Sequence, residues 1–114
     1  RRRTSGTNSS TLGYWAGGES GADTAVATTD GLTFSTDTTG QVTKGALAAA
    51  VQWPAGANSS TIGYWAGGHT DVGGAVETSA SSALTYSTDT TLQVTKGVLS
   101  VAAAAKAGAQ STGV

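Results

Sequence analysis

His69 is the only histidine in the 114-residue chain, and there is no cysteine. A Ser–His–Asp arrangement would have to run through that one imidazole, and no Gly-x-Ser-x-Gly elbow accompanies it. His69 and Asp71 could in principle share a metal, but their spacing is unspecific, and a solvent-exposed loop pair is the expectation. Without cysteine there is no thiolate nucleophile, thiolate metal site or disulfide framework. The carboxylates Glu19, Asp23, Asp30, Asp37, Asp71, Glu77 and Asp89 are scattered, with no spacing that suggests a glycosidase pair. Only Asp37 and Asp89 recur in one setting, Thr-Asp-Thr-Thr, where an aspartate capping a turn through its own backbone is expected. No phosphate-cradling glycine motif is present. The chain is therefore expected not to be an enzyme, with no catalytic residue, metal or cofactor.

What remains is recognition chemistry. Asn8-Ser9-Ser10 and Asn58-Ser59-Ser60 fit the N-glycosylation sequon, so Asn8 and Asn58 are candidate glycan acceptors if the protein is extracellular. Tyr14-Trp15 and Tyr64-Trp65 are adjacent aromatic pairs. On a strand one member of each pair faces each side of the sheet. Packing between units is the favoured role, and sugar stacking by the tryptophans is the alternative. Arg1, Arg2 and Arg3 supply half of the six positive charges; without them the body is acidic, with no basic face for a phosphate backbone. A solvated basic end at residues 1–5 is expected, with no nucleic-acid partner.

The elements that must position these residues are constrained by an unusual composition. Alanine, glycine, serine and threonine make up 70 of the 114 residues, and only 23 are bulky apolar or aromatic. Ordering a backbone costs about 1–2 kcal/mol per residue, so so few large side chains leave an isolated globule little surplus. Charged residues are 11% of the chain, less than half the roughly 25% of ordinary domains. No apolar run approaches the roughly 20 residues of a membrane helix, so membrane insertion is not expected. Stacking against copies, or membership of a longer array, is.

An internal duplication organises the chain. Residues 8–18 read NSSTLGYWAGG and residues 58–68 read NSSTIGYWAGG; residues 32–39 read LTFSTDTT and residues 84–91 read LTYSTDTT. QVTKG recurs at 41–45 and 93–97. The β-favouring runs 11–16 and 61–66 close on Gly17-Gly18 and Gly67-Gly68. The runs 32–35 and 84–87 alternate apolar with polar, and 41–43 and 93–95 are short and β-prone. Segments 46–53 and 98–105 complete four per unit, read as strand in preference to helix, although Gly108 stands where a helix stop belongs. Four short strands per unit suit the blade of a propeller.

A strand ending in Gly-Gly, followed by an aromatic 16–18 residues later, resembles a kelch repeat. Gly17-Gly18 with Phe34, and Gly67-Gly68 with Tyr86, occupy those positions. More narrowly, the pattern is similar to the kelch-like GYxAGG repeats found in tandem in phage structural proteins and bacterial surface proteins. It departs from kelch at the later tryptophan, where Val42 and Val94 stand. The resemblance implies an all-β fold of two tandem four-stranded blades, residues 6–55 and 56–107, with 108–114 beginning a third unit. Two blades cannot close a propeller, so oligomerisation or a longer parent chain is expected to complete it.

The expected function is a non-enzymatic structural or adhesive protein, a phage virion component of tail-fibre or decoration type. It would present its variable loops, 19–31 and 69–83, to a host surface glycan or protein. A bacterial extracellular fibre or surface adhesin is the alternative, followed by a secreted carbohydrate-binding module. A secreted carbohydrate-active enzyme lacks an acid pair to support it.

Overall fold

The computed structural model describes residues 3–21, 24–37, 40–70, 76–100 and 102. Those residues are all-β and antiparallel, with no α-helix among them. In chain order the first unit supplies β1 (Ser5–Asn8), β2 (Leu12–Ala16), β3 (Glu19–Ser20), β4 (Thr24–Ala25), β5 (Thr29–Thr33) and β6 (Val42–Lys44). The second supplies β7 (Ala55–Asn58), β8 (Ile62–Ala66), β9 (Ser81–Thr85) and β10 (Val94–Thr95). They form two four-stranded sheets, ordered β1-β2-β5-β6 and β7-β8-β9-β10, with β3-β4 a separate small hairpin.

The repeated Asn-Ser-Ser-Thr motif builds the first turn of each sheet. Between β1 and β2, the Ser9 N–H donates to the Leu12 carbonyl at 2.9 Å. The Ser9 hydroxyl accepts from the N–H groups of Thr11 and Leu12 at 3.3 and 3.0 Å. Ser59 does the same for Thr61 and Ile62 at 3.3 and 3.1 Å. A short hydroxyl side chain here satisfies backbone donors that a tight hairpin turn would otherwise leave to water. Register then follows identically in both sheets: Leu12 opposes Thr33 and Ile62 opposes Thr85.

Each unit builds one four-stranded sheet, as expected, but the strands that compose it differ from expectation. The fourth strand of each sheet is β1 or β7, ahead of the diglycine strand, and not residues 46–53 or 98–105. Residues 46–53 instead form an irregular connection with one isolated bridge, Gln52 to His69. Its three consecutive alanines offer little to a ladder, and Pro54 has no N–H to donate. Among the described residues of 98–107, none is strand or helix; residues 101 and 103–114, including the expected third unit, lie outside the description. The second expected segment, 32–35 and 84–87, also shifts: β5 and β9 begin in the variable stretch, and Phe34–Thr36 and Tyr86–Thr88 are 3-10 turns. The diglycine strands β2 and β8 are second in their sheets, not edge strands.

The sheets lie face to face, with the connection 45–54 wedged between them. Tyr14, Ala16, Leu47, Val51, Trp65 and Leu84 form one buried cluster drawn from both sheets and the wedge. The edge strands β1 and β7 meet at Gly6 and Gly56, where a Cβ on Gly56 would collide with the Gly6 carbonyl. The diglycines end their strands in the left-handed region: φ is 68° and 97° at Gly17 and Gly18, and 69° and 100° at Gly67 and Gly68. Only glycine adopts such angles without strain. A Cβ on Gly68 would also lie 2.5 Å from the Gln52 carbonyl oxygen.

Candidate functional site

The aromatic pairs do point to opposite faces, and the faces they meet are different. Tyr14 of the first sheet is 1% exposed, and so is Trp65 of the second. Their counterparts Tyr64 and Trp15 are only partly buried. The seam thus joins the tyrosine face of one sheet to the tryptophan face of the other. Tyr14 stacks on Tyr86 with ring centroids 5.3 Å apart and planes 5° from parallel. The Trp65 Nε1–H donates to the Ser5 carbonyl at 3.0 Å, and the Tyr86 hydroxyl donates to the Asn8 carbonyl at 3.0 Å.

Polar groups lock the outer edge of the same seam. The Tyr14 hydroxyl donates to Asp89 Oδ2 at 2.9 Å, and Lys44 Nζ lies 3.1 Å from that oxygen. Asp89 therefore reaches across to the first sheet, where turn capping through its own backbone was expected. Its backbone carbonyl also accepts from the Gly45 N–H at 2.7 Å. Gln93 is buried and donates its side-chain amide to Thr29 Oγ1 and the Gly45 carbonyl, both at 3.0 Å. Burial, then the Asp89 carboxylate it bonds, hold the Tyr14 phenol well above the ordinary tyrosine range. Burial chiefly raises Tyr86 as well.

A second polar cluster gathers beside the diglycines. Glu19 is 0% exposed and accepts from Arg3 Nη1 at 2.8 Å. Arg3 also donates to Gln52 Oε1 at 2.9 Å, and its guanidinium lies 4.2 Å from the Trp53 ring centroid. Arg3 is thus a structural cation, not part of a solvated end; Arg1 and Arg2 lie outside the description. His69 is buried, with its ring edge-on to Trp53 at 5.2 Å and Nε2 4.0 Å from Glu77 Oε1. The exposed loop pair expected for His69 is not what forms, because its backbone is held in a ladder by Gln52 on one side and Glu77 on the other. Asp71 lies outside the description. Glu19 and His69 open the stretches expected to present binding loops, and both are buried.

Chemically, this arrangement joins surfaces. Among the described residues no three metal-ligating side chains converge. A cavity of about 40 Å³ beside Leu47, Val51, Trp65 and Thr78 has room for a few waters, far below the roughly 300–1,000 Å³ of a ligand pocket. Trp65 is sealed in the seam and offers no sugar platform. Gly17, Gly18, Gly67 and Gly68 shape the strand ends, and Phe34 is 46% exposed on the tryptophan face of the first sheet. Asn8 is exposed at its hairpin and Asn58 partly so; each amide donates to the following serine carbonyl, at 3.0 and 3.3 Å. The repeated Lys-Gly and Thr-Asp signals could have revealed the Lys44–Asp89 contact. Nothing in the sequence distinguished Arg3 from Arg1 and Arg2. A scan against models of protein families finds no match, and a search of curated proteins finds no relative.

Proposed function

We propose that this chain is a non-enzymatic scaffold of a virion or other extracellular surface, of the tail-fibre or decoration kind. Its sheets act as kelch-like blades that hold loops toward a host glycan or protein. The observation that carries the reading is the seam: two four-stranded antiparallel meanders stacked face to face through aromatics that recur in each unit. Stacking of four-stranded sheets is what the blade reading requires, and the small side chains and shared backbone bonds suit close stacking. Polar groups hold the two sheets together: Asp89, Lys44 and Gln93 bind across the seam. The second reading is a bacterial extracellular fibre or adhesin, for which the exposed Asn8 hairpin offers a place for a glycan.

The test is a panel of bacterial surface glycans and whole cells exposed to the purified chain. Saturable retention with no released product is the expected result. Turnover of any glycan would replace the scaffold by an enzyme, and the absence of retention on every surface would remove the adhesive role.

A further inference from the structure

The two outer faces of the molecule are the two halves of its own seam. On the tyrosine side, Tyr14 and Leu47 are sealed, whereas their counterparts in the second unit, Tyr64 and Leu99, are only partly buried. On the tryptophan side, Trp65 and Leu84 are sealed, whereas Trp15 and Leu32 are partly buried. Phe34 is 46% exposed, while Tyr86, its counterpart, stacks on Tyr14 inside the seam. Each outer face thus bears the residues that, one unit along, are already engaged by the opposite face.

We infer that a second copy of this chain docks head to tail, its Trp15 and Phe34 face covering the Tyr64 face of the first. The joint continues the internal seam with the same chemistry. Tyr64 stacks on Phe34 of the next copy and donates its hydroxyl to that copy's Asp37, as Tyr14 does to Asp89. Lys96 pairs with the same Asp37, as Lys44 does with Asp89. Gln41 of the next copy takes the place of Gln93, reaching Ser81 and the Gly97 carbonyl. The occupant is a copy and not an unrelated protein because the face that fits is written elsewhere in the same chain.

One difference grades the two joints. Tyr86 donates its hydroxyl across the internal seam to the Asn8 carbonyl, and Phe34 has no hydroxyl to offer Asn58 of its neighbour. The joint between copies is therefore the weaker, and Phe34→Tyr supplies what is missing. A neutral hydrogen bond tightens association about 2–10-fold.

The inference stands on the seam alone, so it fails or survives independently of any receptor. Sedimentation equilibrium of the full chain tests it, with circular dichroism to check that each variant keeps the wild-type strand signal. The wild type is expected to associate in proportion to concentration. Tyr64→Glu and Phe34→Glu, each blocking one face, are expected to be monomeric alone. Mixed in equal amounts they are expected to form a heterodimer and nothing larger, because each supplies the face that the other lacks. Phe34→Tyr is expected to tighten self-association about 2–10-fold. A wild type monomeric at millimolar concentration would overturn the inference. So would folded Glu variants that fail to pair with each other, or Phe34→Tyr with unchanged or weaker association.

Discussion

Tyr14 and Tyr86, 72 positions apart, lie parallel and 5.3 Å apart at the centre of the seam between the two sheets. Neither ring could be placed by its own sheet alone: each is oriented by a hydroxyl bonded across the seam, to Asp89 for Tyr14 and to the Asn8 carbonyl for Tyr86. The pair is both packing and registration.

Removing that registration should be measurable. Tyr14→Phe keeps the stacked ring but deprives Asp89 of its phenolic donor. A hydrogen bond to a charged group contributes about 1.5–3 kcal/mol, so urea unfolding is expected to lose that much. Tyr14→Ala also loses the buried ring and should cost about 3–5 kcal/mol.

The same residue sets an alkaline limit. The folded Tyr14 phenol is held above its ordinary value by burial and by Asp89, so its protonated form is favoured by folding. The stabilisation is fully present below the unfolded tyrosine value of about 10 and falls as pH rises through the folded value. In unfolding titrations between about pH 9 and pH 11, the stability advantage of wild type over Tyr14→Phe is expected to shrink. A constant difference would show that Tyr14 does not report on the seam.

Arg3→Ala should expose the cost of the buried Glu19 carboxylate. It removes a guanidinium that bonds both Glu19 and Gln52 and lies over Trp53. The expected loss is about 1.5–3 kcal/mol in thermal or chemical unfolding. Arg3→Lys should recover only part of it, since an ammonium cannot reproduce the planar fork and ring stacking.

Gly68→Ala combines a positive φ of 100° with a Cβ only 2.5 Å from the Gln52 oxygen. Left-handed backbone alone costs about 1–2 kcal/mol for an L-residue, and the collision adds to it. Gly21→Ala, where nothing lies within 4 Å of the new methyl, should change stability by less than about 0.5 kcal/mol. The contrast between the two melting temperatures checks whether the diglycine is geometry or mere composition.

Much of this was legible because repetition gave each signal twice. The Tyr-Trp pairs declared a strand with two occupied faces, and the diglycines declared its end. The edge strands β1 and β7 were not legible: Ser5-Gly6-Thr7-Asn8 carries no apolar alternation and becomes a strand only because Ser9 folds it onto β2. The start of β5 was hidden for a related reason, since Thr29, Asp30 and Gly31 owe their extended form to pairing with Ala16, Trp15 and Tyr14. Glu19 and His69 differ between the units, so their burial beside Gln52 could not be read by comparing one repeat with the other.

The seam has no two-fold axis, and this gives the molecule a front and a back. Trp15 and Phe34 mark one side, Tyr64 and Leu99 the other, and no rotation exchanges them. Anything attached near one side is oriented with respect to anything attached near the other, without a further element to set the direction. Duplication followed by stacking has turned a sequence that repeats into an object that points.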